Sequence, residues 1–337
     1  MSRPCRPSQK RWCQVRVLVA GAAGVIGMPL VRLLTSAGHE VVAVTRSSAK
    51  LERLRDAGAE PVICDALDAE TLGKTVGSAQ PEVVVNQLTA FPRRIRPRQI
   101  GRDLAATSRL RSQGTRNLMA AAQTAGVAHV VAQSVAFAYA PDVGQPGRPG
   151  PGGLRRERDP LYIAAPGEFA RAVRAITELE AETLDNGGIS AAVLRYGFFY
   201  GPGTSYAADG TVADDVRRRR FPVIGGGTGV FCFTHVHDAA RATLAAIEQR
   251  AEGTYNVVDD EPAPVAEWLP VYAALLGAPP PRRLPQWLGS MLGGPYAMYL
   301  MTQMPGASND QAKAALGWRP LQPSWRGGFR EDLVGQK

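Results

Sequence analysis

Long apolar runs are absent from this 337-residue chain: no 18 consecutive residues are apolar. The nearest approach is the stretch 287–304, which is interrupted by three glycines, a proline and polar side chains. A helix needs about 20 largely apolar residues to cross a bilayer. We therefore expect no transmembrane segment and no membrane partner.

Cysteine is also scarce. Cys5, Cys13, Cys64 and Cys232 show neither C-x-x-C nor metal-ligand spacing, which argues against a disulfide framework and predicts a reducing, cytoplasmic setting.

The basic start of the chain, followed by an apolar stretch, imitates a secretory signal, but that stretch contains the glycine motif described below. We interpret residues 1–13 as a disordered basic tail.

Lysine is rare as well. Five of the 39 Lys and Arg residues are lysines, so arginine supplies nearly all of the formal net charge of +9. The arginine clusters at 93–98, 155–158 and 217–220 are separate and lack interleaved aromatic residues. They are typical of solvated surface, and we expect no nucleic-acid partner. The alternative is attraction for an anionic ligand such as a phosphorylated cofactor.

The most informative segment present is 15–27, which reads VRVLVAGAAGVIG. A short β-branched run leads directly into G-x-x-G-x-x-G. Gly21 permits a sharp turn, Gly24 lets the main chain approach a pyrophosphate, and Gly27 allows the following helix to pack closely on the strand. The pattern predicts a dinucleotide-binding turn.

The amide groups of Val25 and Ile26 lie between Gly24 and Gly27 and precede the helix-forming run 28–37. Amides at the start of a helix carry partial positive charge. We therefore expect Val25 and Ile26 to meet the cofactor phosphates.

Strand and helix signals then alternate along the chain. Apolar strands are predicted at 40–45, 61–64, 82–86, 128–133 and 190–195, with helices at 48–57, 101–125 and 168–186. Continuous apolar strands separated by helices indicate an α/β Rossmann-type doubly wound parallel sheet. We expect an NADP-binding domain over 14–200 and a smaller mixed α/β substrate-binding region over 201–330, to which the sheet contributes. The Gly, Pro and Arg-rich stretch 141–158 is predicted to be a mobile loop near the ligand.

The end of the second strand indicates which nucleotide is bound. Sites that prefer NAD place an Asp or Glu there, whereas this chain has Arg46 followed by Ser47 and Ser48. A guanidinium beside hydroxyl groups suits a 2′-phosphate, so NADP is favoured over NAD. The alternative is that a serine caps the next helix and Arg46 is merely exposed. Asp65 and the Ala66 backbone are placed to contact the adenine.

Several ordered motifs resemble the short-chain dehydrogenase/reductase superfamily, in particular its extended and atypical branch of NAD-dependent epimerases and dehydratases. Besides the glycine turn, they are GTRNLMAAA at 114–122, LRYGFFYGPG at 194–203, FTHVHDAARA at 233–242, YNVVDDEP at 255–262 and ASNDQAKAALGWRP at 307–320. The resemblance implies that Leu88 and Thr89 flank the nicotinamide and that Tyr196 contacts its carboxamide end. It also allows a homodimer through paired helices.

The usual catalytic pair of that superfamily is missing from this sequence. A tyrosine four residues before a lysine exchanges the proton during hydride transfer, but no tyrosine here has lysine at that spacing and no lysine lies between Lys74 and Lys313. Matching the helix through its Glu-x-Leu pattern puts Arg174 and Glu178 at the positions of the pair.

The substrate side also departs from relatives that act on nucleotide sugars. Phe198 and Phe231 replace an asparagine and a diphosphate-binding arginine, and the stretch 285–304 is rich in aromatic residues and methionine. An aromatic ring cannot replace a bidentate phosphate donor. We expect an apolar, non-nucleotide small-molecule substrate, the alternative being that these residues form ordinary core.

Three residues are candidates for the catalytic work. Ser134 lies near the end of the fifth predicted strand, where a hydroxyl would bind a substrate carbonyl, although counting back from Tyr139 places Val135 there instead. Tyr162 could supply a relocated phenol, and Arg174 a positive charge. The structural alternatives are a strand-end cap, a packed loop aromatic and an exposed helix arginine.

His235 and His237 have the spacing of a strand and would share one face. We reject a metal site, because no third ligand stands at a fitting distance in the sequence. We expect Asp238 to cap the next helix instead.

The sequence as a whole predicts an NADP-dependent oxidoreductase acting on an apolar carbonyl or alcohol in specialised metabolism. Two alternatives stay open. One is a redox-neutral isomerase, epimerase, cyclase or dehydratase on the same fold, and the other is a non-catalytic NADP-binding sensor.

Overall fold

The computed structural model describes residues 14–92, 94–141 and 153–335. Within these ranges the strands are β1 (Arg16–Ala20), β2 (Glu40–Thr45), β3 (Glu60–Ile63), β4 (Val83–Asn86), β5 (His129–Val135), β6 (Ser190–Tyr196), β7 (Phe198–Tyr200), β8 (Val223–Ile224), β9 (Val230–Phe231), β10 (Phe233–His235), β11 (Gly253–Val257), β12 (Ala263–Pro264) and β13 (Arg283–Leu284).

The α-helices are α1 (Gly27–Ser36), α2 (Leu51–Asp56), α3 (Ala69–Ala79), α4 (Ile100–Asp103), α5 (Ala105–Arg109), α6 (Thr115–Thr124), α7 (Phe169–Leu184), α8 (Thr211–Arg217), α9 (Val236–Glu248), α10 (Val265–Leu275), α11 (Gln286–Met298), α12 (Asp310–Leu316) and α13 (Trp325–Val334). Two π-helical turns, π1 (Leu110–Gly114) and π2 (Tyr299–Gln303), follow α5 and α11. Two 3₁₀ turns occupy Ser48–Lys50 and Pro97–Gln99.

Seven parallel strands form the central sheet, in the order β11-β6-β5-β4-β1-β2-β3. The inner strands β4 and β5 are buried along their whole length, as expected when helices cover both faces. One face packs against α1 and α9, and the other packs against α3 and α6. The predicted doubly wound fold is confirmed.

The chain beyond residue 200 is not separate from this sheet. It supplies the edge strand β11 and the covering helix α9, and it contributes to three two-stranded pairs, β7 with β10, β8 with β13 and β9 with β12. These pairs enclose a third apolar core with α10, α11 and α13. The division between a 14–200 and a 201–330 region stays a prediction. No helix in the described ranges is long and apolar enough to cross a membrane.

The predicted helix over 101–125 is wrong as a single element. The chain leaves helical geometry at Leu104, where φ is −97° and ψ is 0°, and it widens into π1 before α6 begins. The prediction for β5 was too short, because the strand runs on to Val135.

Sequence reasoning missed α3 altogether. Its glycines Gly73 and Gly77 weaken the helical signal. The first turn is nevertheless capped, because Asp68 accepts from the Thr71 amide at 3.1 Å. A side-chain cap thus offsets part of what the two glycines cost the helix.

The arginine clusters are partly neutralised by carboxylates at the surface. Arg94 contacts Asp214 and Asp215, and Arg96 Nη2 lies 2.5 Å from Asp103 Oδ1. The pairs of Arg94 are partly exposed, whereas Arg96 binds a buried carboxylate. The solvated character of these clusters stays a prediction. The predicted tail at 1–13, Arg93 and most of the predicted loop, at 142–152, lie outside the described residues.

Candidate active site and cofactor site

The glycine turn between β1 and α1 has the geometry that a dinucleotide requires. Gly21 adopts φ +88°, and a Cβ there would lie 2.5 Å from the Gln87 carbonyl oxygen. A Cβ at Gly27 would lie 2.4 Å from the Gly21 oxygen, whereas one at Gly24 would meet only that oxygen, at 3.1 Å. Gly21 and Gly27 are therefore fixed by packing, and Gly24 leaves the outer side of the turn open to a ligand.

The start of α1 suits a phosphate. Ile26 caps the helix without a side-chain hydrogen bond, and no acidic residue stands in the first turn. Val25 is exposed beside it. The electropositive helix end thus has no competing carboxylate of its own. Val25 and Ile26 as cofactor ligands stay a prediction.

The end of β2 presents cations next to this turn. Arg46 is exposed, and Ser47 is half-buried with no side-chain hydrogen bond to the following 3₁₀ turn. The Lys50 ammonium donates to the Ala23 carbonyl at 3.2 Å. Two cations at this edge fit a 2′-phosphate. Arg46 and Ser47 as cofactor ligands stay a prediction.

Sequence reasoning missed the position of Lys50. An extended chain after Arg46 would carry the Lys50 side chain away from the glycine turn. The 3₁₀ turn at Ser48–Lys50 instead folds the chain back, which brings the ammonium to Ala23. Such a short turn leaves no periodic signal in the sequence.

The loop after β3 is where the adenine is predicted to bind. Asp65 is exposed, and its Oδ1 accepts from the Leu67 amide at 3.0 Å. The Ala66 carbonyl accepts from Asn117 Nδ2 at 2.9 Å, which ties this loop to α6. Asp65 and Ala66 as adenine ligands stay a prediction.

The loop after β4 lies at the middle of the sheet edge. Leu88 and Thr89 are half-buried there, and their contact with the nicotinamide stays a prediction. Gln87 is buried, and sequence reasoning did not single it out. Neither polar atom of its side chain has a partner at strict hydrogen-bond geometry among the described residues, but its amide lies near enough to the Tyr196 hydroxyl to lower the pKa of that phenol. Buried amides are normally paired, and Tyr196 is the polar neighbour of this one inside the fold.

Tyr196 is fully buried at the end of β6. Its hydroxyl lies 2.7 Å from Thr243 Oγ1 on α9. Burial raises the pKa of this phenol, and Thr243 and the nearby Gln87 amide offset only part of that rise. The hydroxyl is thus held by the helix layer. A contact between Tyr196 and the carboxamide end stays a prediction.

Ser134 belongs to a buried network under α7. Its hydroxyl donates to Glu180 Oε1 at 2.6 Å, and Arg195 donates to both oxygens of that carboxylate, at 2.8 and 2.5 Å. Arg195 also donates to the Tyr139 hydroxyl at 2.8 Å, which in turn donates to Asn256 at 2.7 Å. Because β5 is longer than predicted, Ser134 lies inside the strand. Its catalytic role stays a prediction.

The structure does not bring Tyr162 and Arg174 together with Ser134 in one hydrogen-bonded network. Tyr162 is half-buried in a ring cluster, with its centroid 5.4 Å from that of Tyr299. Arg174 lies on the exposed face of α7, whereas Ala172 and Ile176 are buried. The catalytic roles of Tyr162 and Arg174 stay predictions.

Sequence reasoning missed Arg111, which lies in π1 and is 4% exposed. The signal was available, because Arg111 stands within a stripe of apolar and small residues at helical spacing, formed by Leu104, Thr107, Gly114 and Leu118. A charged residue on such a stripe indicates a buried cation.

The segment containing His235 and His237 is structural. His235 Nδ1 accepts from the His237 amide at 3.3 Å and so caps α9. The prediction that Asp238 is the cap is wrong, because its carboxylate instead accepts from the amides of Leu321 and Gln322, at 2.8 and 2.9 Å. In the ranges that the structure covers, no group of three His, Cys, Asp or Glu residues could hold a metal.

Comparison with known proteins agrees with this architecture. The profile of the NAD dependent epimerase/dehydratase family matches residues 17–258. A 3-diazoavenalumate denitrifying reductase from a Streptomyces species is 47% identical over 316 residues, which are 94% of this chain and 99% of that protein.

Two solved structures share the fold. The UDP-glucose 4-epimerase of Thermus thermophilus, in complex with NAD, has a TM-score of 0.70 at 23% identity, and the match covers 94% of this chain and 97% of that one. Human epimerase family protein SDR39U1 (isoform 2), with NADPH, has a TM-score of 0.68 at 21% identity, and the match covers 94% and 99%. The two carry different nicotinamide dinucleotides, so the likeness does not choose between them.

Proposed function

The chain belongs to the NAD dependent epimerase/dehydratase family, and we propose that within it the protein is an NADPH-dependent reductase of an anionic diazo compound. The observation that carries this proposal is the reductase at 47% identity along almost the whole chain, whose name describes removal of nitrogen from a diazo compound. The same observation favours net reduction over a redox-neutral reaction or a sensor role.

The missing Tyr-Lys pair fits this chemistry better than it fits carbonyl reduction. Hydride addition to a carbonyl leaves an alkoxide that requires a proton, and the pair normally supplies it. An aryl diazo group can react in its diazonium form: when the ring carbon that bears N₂⁺ accepts a hydride, a C–H bond forms, the C–N bond breaks and its electron pair leaves with N₂. Two electrons are transferred and that step needs no proton donor. Arg174 and Glu178, which stand at the positions of the pair in the matched register, both lie on the exposed face of α7.

Bound reduced nicotinamide would supply the hydride. The residues that would hold the cofactor are the glycine turn, the start of α1 and the cations Arg46 and Lys50. The two cations at the end of β2, where residues 45–50 include no Asp or Glu, support NADP over NAD. A role in specialised metabolism is also part of the proposal, because the same Streptomyces reductase supports it.

The aromatic groups near the sheet edge support an apolar, flat, non-nucleotide substrate. Phe137 follows β5 and Phe198 follows β6, and their rings stack with centroids 4.3 Å apart. Phe231 also stacks with Phe198, with centroids 4.3 Å apart. Phe231 is fully buried beneath them, whereas the half-buried rings of Phe137 and Phe198 suit an aryl ring.

The test uses purified protein, an aryl diazonium carboxylate and NADPH carrying deuterium on either face of C4. We expect one N₂ released for each NADPH consumed, with deuterium at the carbon that carried nitrogen for the label on one face of C4 and not for the label on the other. Heat-inactivated protein controls for direct reaction of the two reagents. Consumption of NADPH by ketones but not by the diazonium compound would contradict the proposal, as would N₂ release without deuterium transfer from either face.

A further inference from the structure

Arg111 is held beside the loop that follows β4. Thr107 Oγ1 accepts from the Ala90 amide at 3.0 Å, and Thr115 Oγ1 accepts from Asn86 Nδ2 at 3.0 Å. Arg111 lies four residues from each threonine, so it shares their side of the helical segment. The guanidinium therefore faces the sheet edge, next to the segment predicted to flank the nicotinamide.

This buried cation has no countercharge bound to it in the described ranges. The Arg111 guanidinium makes no hydrogen bond and no ion pair there, and its ring contact is with Phe91, with Cζ 5.7 Å from the centroid. Glu180 is near enough to act on it electrostatically. That carboxylate, however, is already bound by Arg195 and Ser134.

Arg111 nevertheless stays charged. Burial lowers its pKa to about 10, which leaves the cation dominant at neutral pH. An unpaired buried charge carries a large desolvation penalty and does not stabilise a fold. π-helical turns such as π1 are found frequently at functional sites. The arrangement therefore points to a ligand that supplies the missing negative charge.

A phenol lies within electrostatic reach of the guanidinium. Tyr296, from α11, is 8% exposed and close enough for Arg111 to lower the pKa of its phenol, although burial dominates and raises that pKa to about 12. Tyr296 is thus protonated at neutral pH and can donate a hydrogen bond. A planar guanidinium and a phenol together match a carboxylate.

We propose that Arg111, assisted by Tyr296, binds the carboxylate of the substrate and so selects aryl acids over neutral compounds. This inference rests on the proposed function, whose substrate it assigns to a class. The shared chemistry is an anionic oxygen, and the other source of one is the cofactor. Separate binding measurements for the acid and for NADP⁺ distinguish the two.

The test measures equilibrium binding to the NADP⁺-loaded protein, with trans-cinnamate as the acid and cinnamamide as its neutral analogue. For wild type we expect tighter binding of the acid. Arg111→Gln should weaken cinnamate binding by about 100-fold, as for a lost charge-assisted pair, and leave cinnamamide and NADP⁺ binding within about threefold. The cinnamate affinity of Arg111→Lys should lie between those of wild type and Arg111→Gln, because lysine keeps the charge and loses the planar, bidentate guanidinium. Arg102→Gln, at an exposed position of α4, is the matched control.

Equal weakening of acid and amide by Arg111→Gln would overturn the inference, and so would a loss of NADP⁺ affinity, which would assign the guanidinium to the cofactor. If Arg111→Gln does not fold, the Lys variant carries the test. Acid selectivity without diazo reduction would refute the proposed function alone. Diazo reduction with equal KM in wild type and Arg111→Gln would refute this inference alone.

Discussion

Two buried arginines of this protein differ in whether other side chains compensate their charge. Arg195 is bound on every side, by both oxygens of Glu180, by the Tyr139 hydroxyl and by the Glu157 carbonyl. Arg111 is buried to a similar extent and has neither a hydrogen bond nor an ion pair within the described ranges. The first arrangement compensates its charge within the fold, whereas the second leaves it for a ligand.

This difference distinguishes Arg195, which belongs to the structural framework, from Arg111, which we assign to a binding site. Removing one partner of a compensated buried pair exposes the other to the full desolvation penalty, whereas removing an uncompensated charge relieves one. The two arginines should therefore respond to mutation with opposite signs in the free energy of unfolding. Substitutions in and around the two sites can test this contrast, and the largest effect is expected at Glu180.

Glu180→Gln should convert Arg195 into a second uncompensated cation. We expect the free energy of unfolding to fall by about 3–5 kcal/mol, measured by urea denaturation. The matched control is Glu182→Gln on the same helix, which breaks a surface pair with Arg116 and should cost at most about 1 kcal/mol. Similar losses of unfolding free energy in the two variants would mean that the buried network contributes no more to stability than the surface pair.

A buried base that can lose its proton should behave differently from either arginine. Burial lowers the pKa of His129 from 6.5 to about 4. As the pH falls, the unfolded chain therefore takes up a proton before the folded protein does. The free energy of unfolding keeps its full value above about pH 6.5 and is lower by about 3 kcal/mol at pH 4. Comparing the pH dependence of the free energy of unfolding between wild type and His129→Gln isolates the contribution of His129. A pKa of about 6.5 or higher for His129 by NMR would contradict it.

Arg46→Glu should change cofactor affinity without touching either buried arginine. We expect NADPH affinity to fall about 100-fold, while NADH affinity stays within about threefold, because only the 2′-phosphate is lost as a partner. Arg53→Glu makes the same charge change at an exposed position of α2 and is the control. Parallel losses for NADPH and NADH would count against the assignment of the 2′-phosphate.

Ser134→Ala removes one hydrogen bond from the compensated network. Glu180 keeps both contacts to Arg195, so we expect the free energy of unfolding to fall by only about 1–2 kcal/mol. Denaturation gives this value directly. A fall in kcat/KM beyond the loss of folded protein would favour the catalytic role predicted for Ser134, and an unchanged stability would contradict its place in the network.

Local patterns predicted the sheet well, because buried parallel strands are continuous apolar runs and the glycine turn has its own steric signature. The positions of β1 to β6 and of the turn follow from residues close in sequence. The environment of Arg111 could not be predicted in this way, since it depends on Thr107 and Thr115 holding the β4 loop against the helix. The pairing of Glu180 with Arg195 is likewise a contact between separate elements, and neither residue alone indicates it.

The unfolding free energy of Arg111→Met, without ligand and beside Glu180→Gln, tests the central contrast most directly. Because the substitution removes an uncompensated buried cation and keeps an apolar stem, we expect the protein to become more stable by about 1–3 kcal/mol, while cinnamate no longer stabilises it. A loss of stability comparable with that of Glu180→Gln would show that Arg111 is part of the framework and would contradict the account.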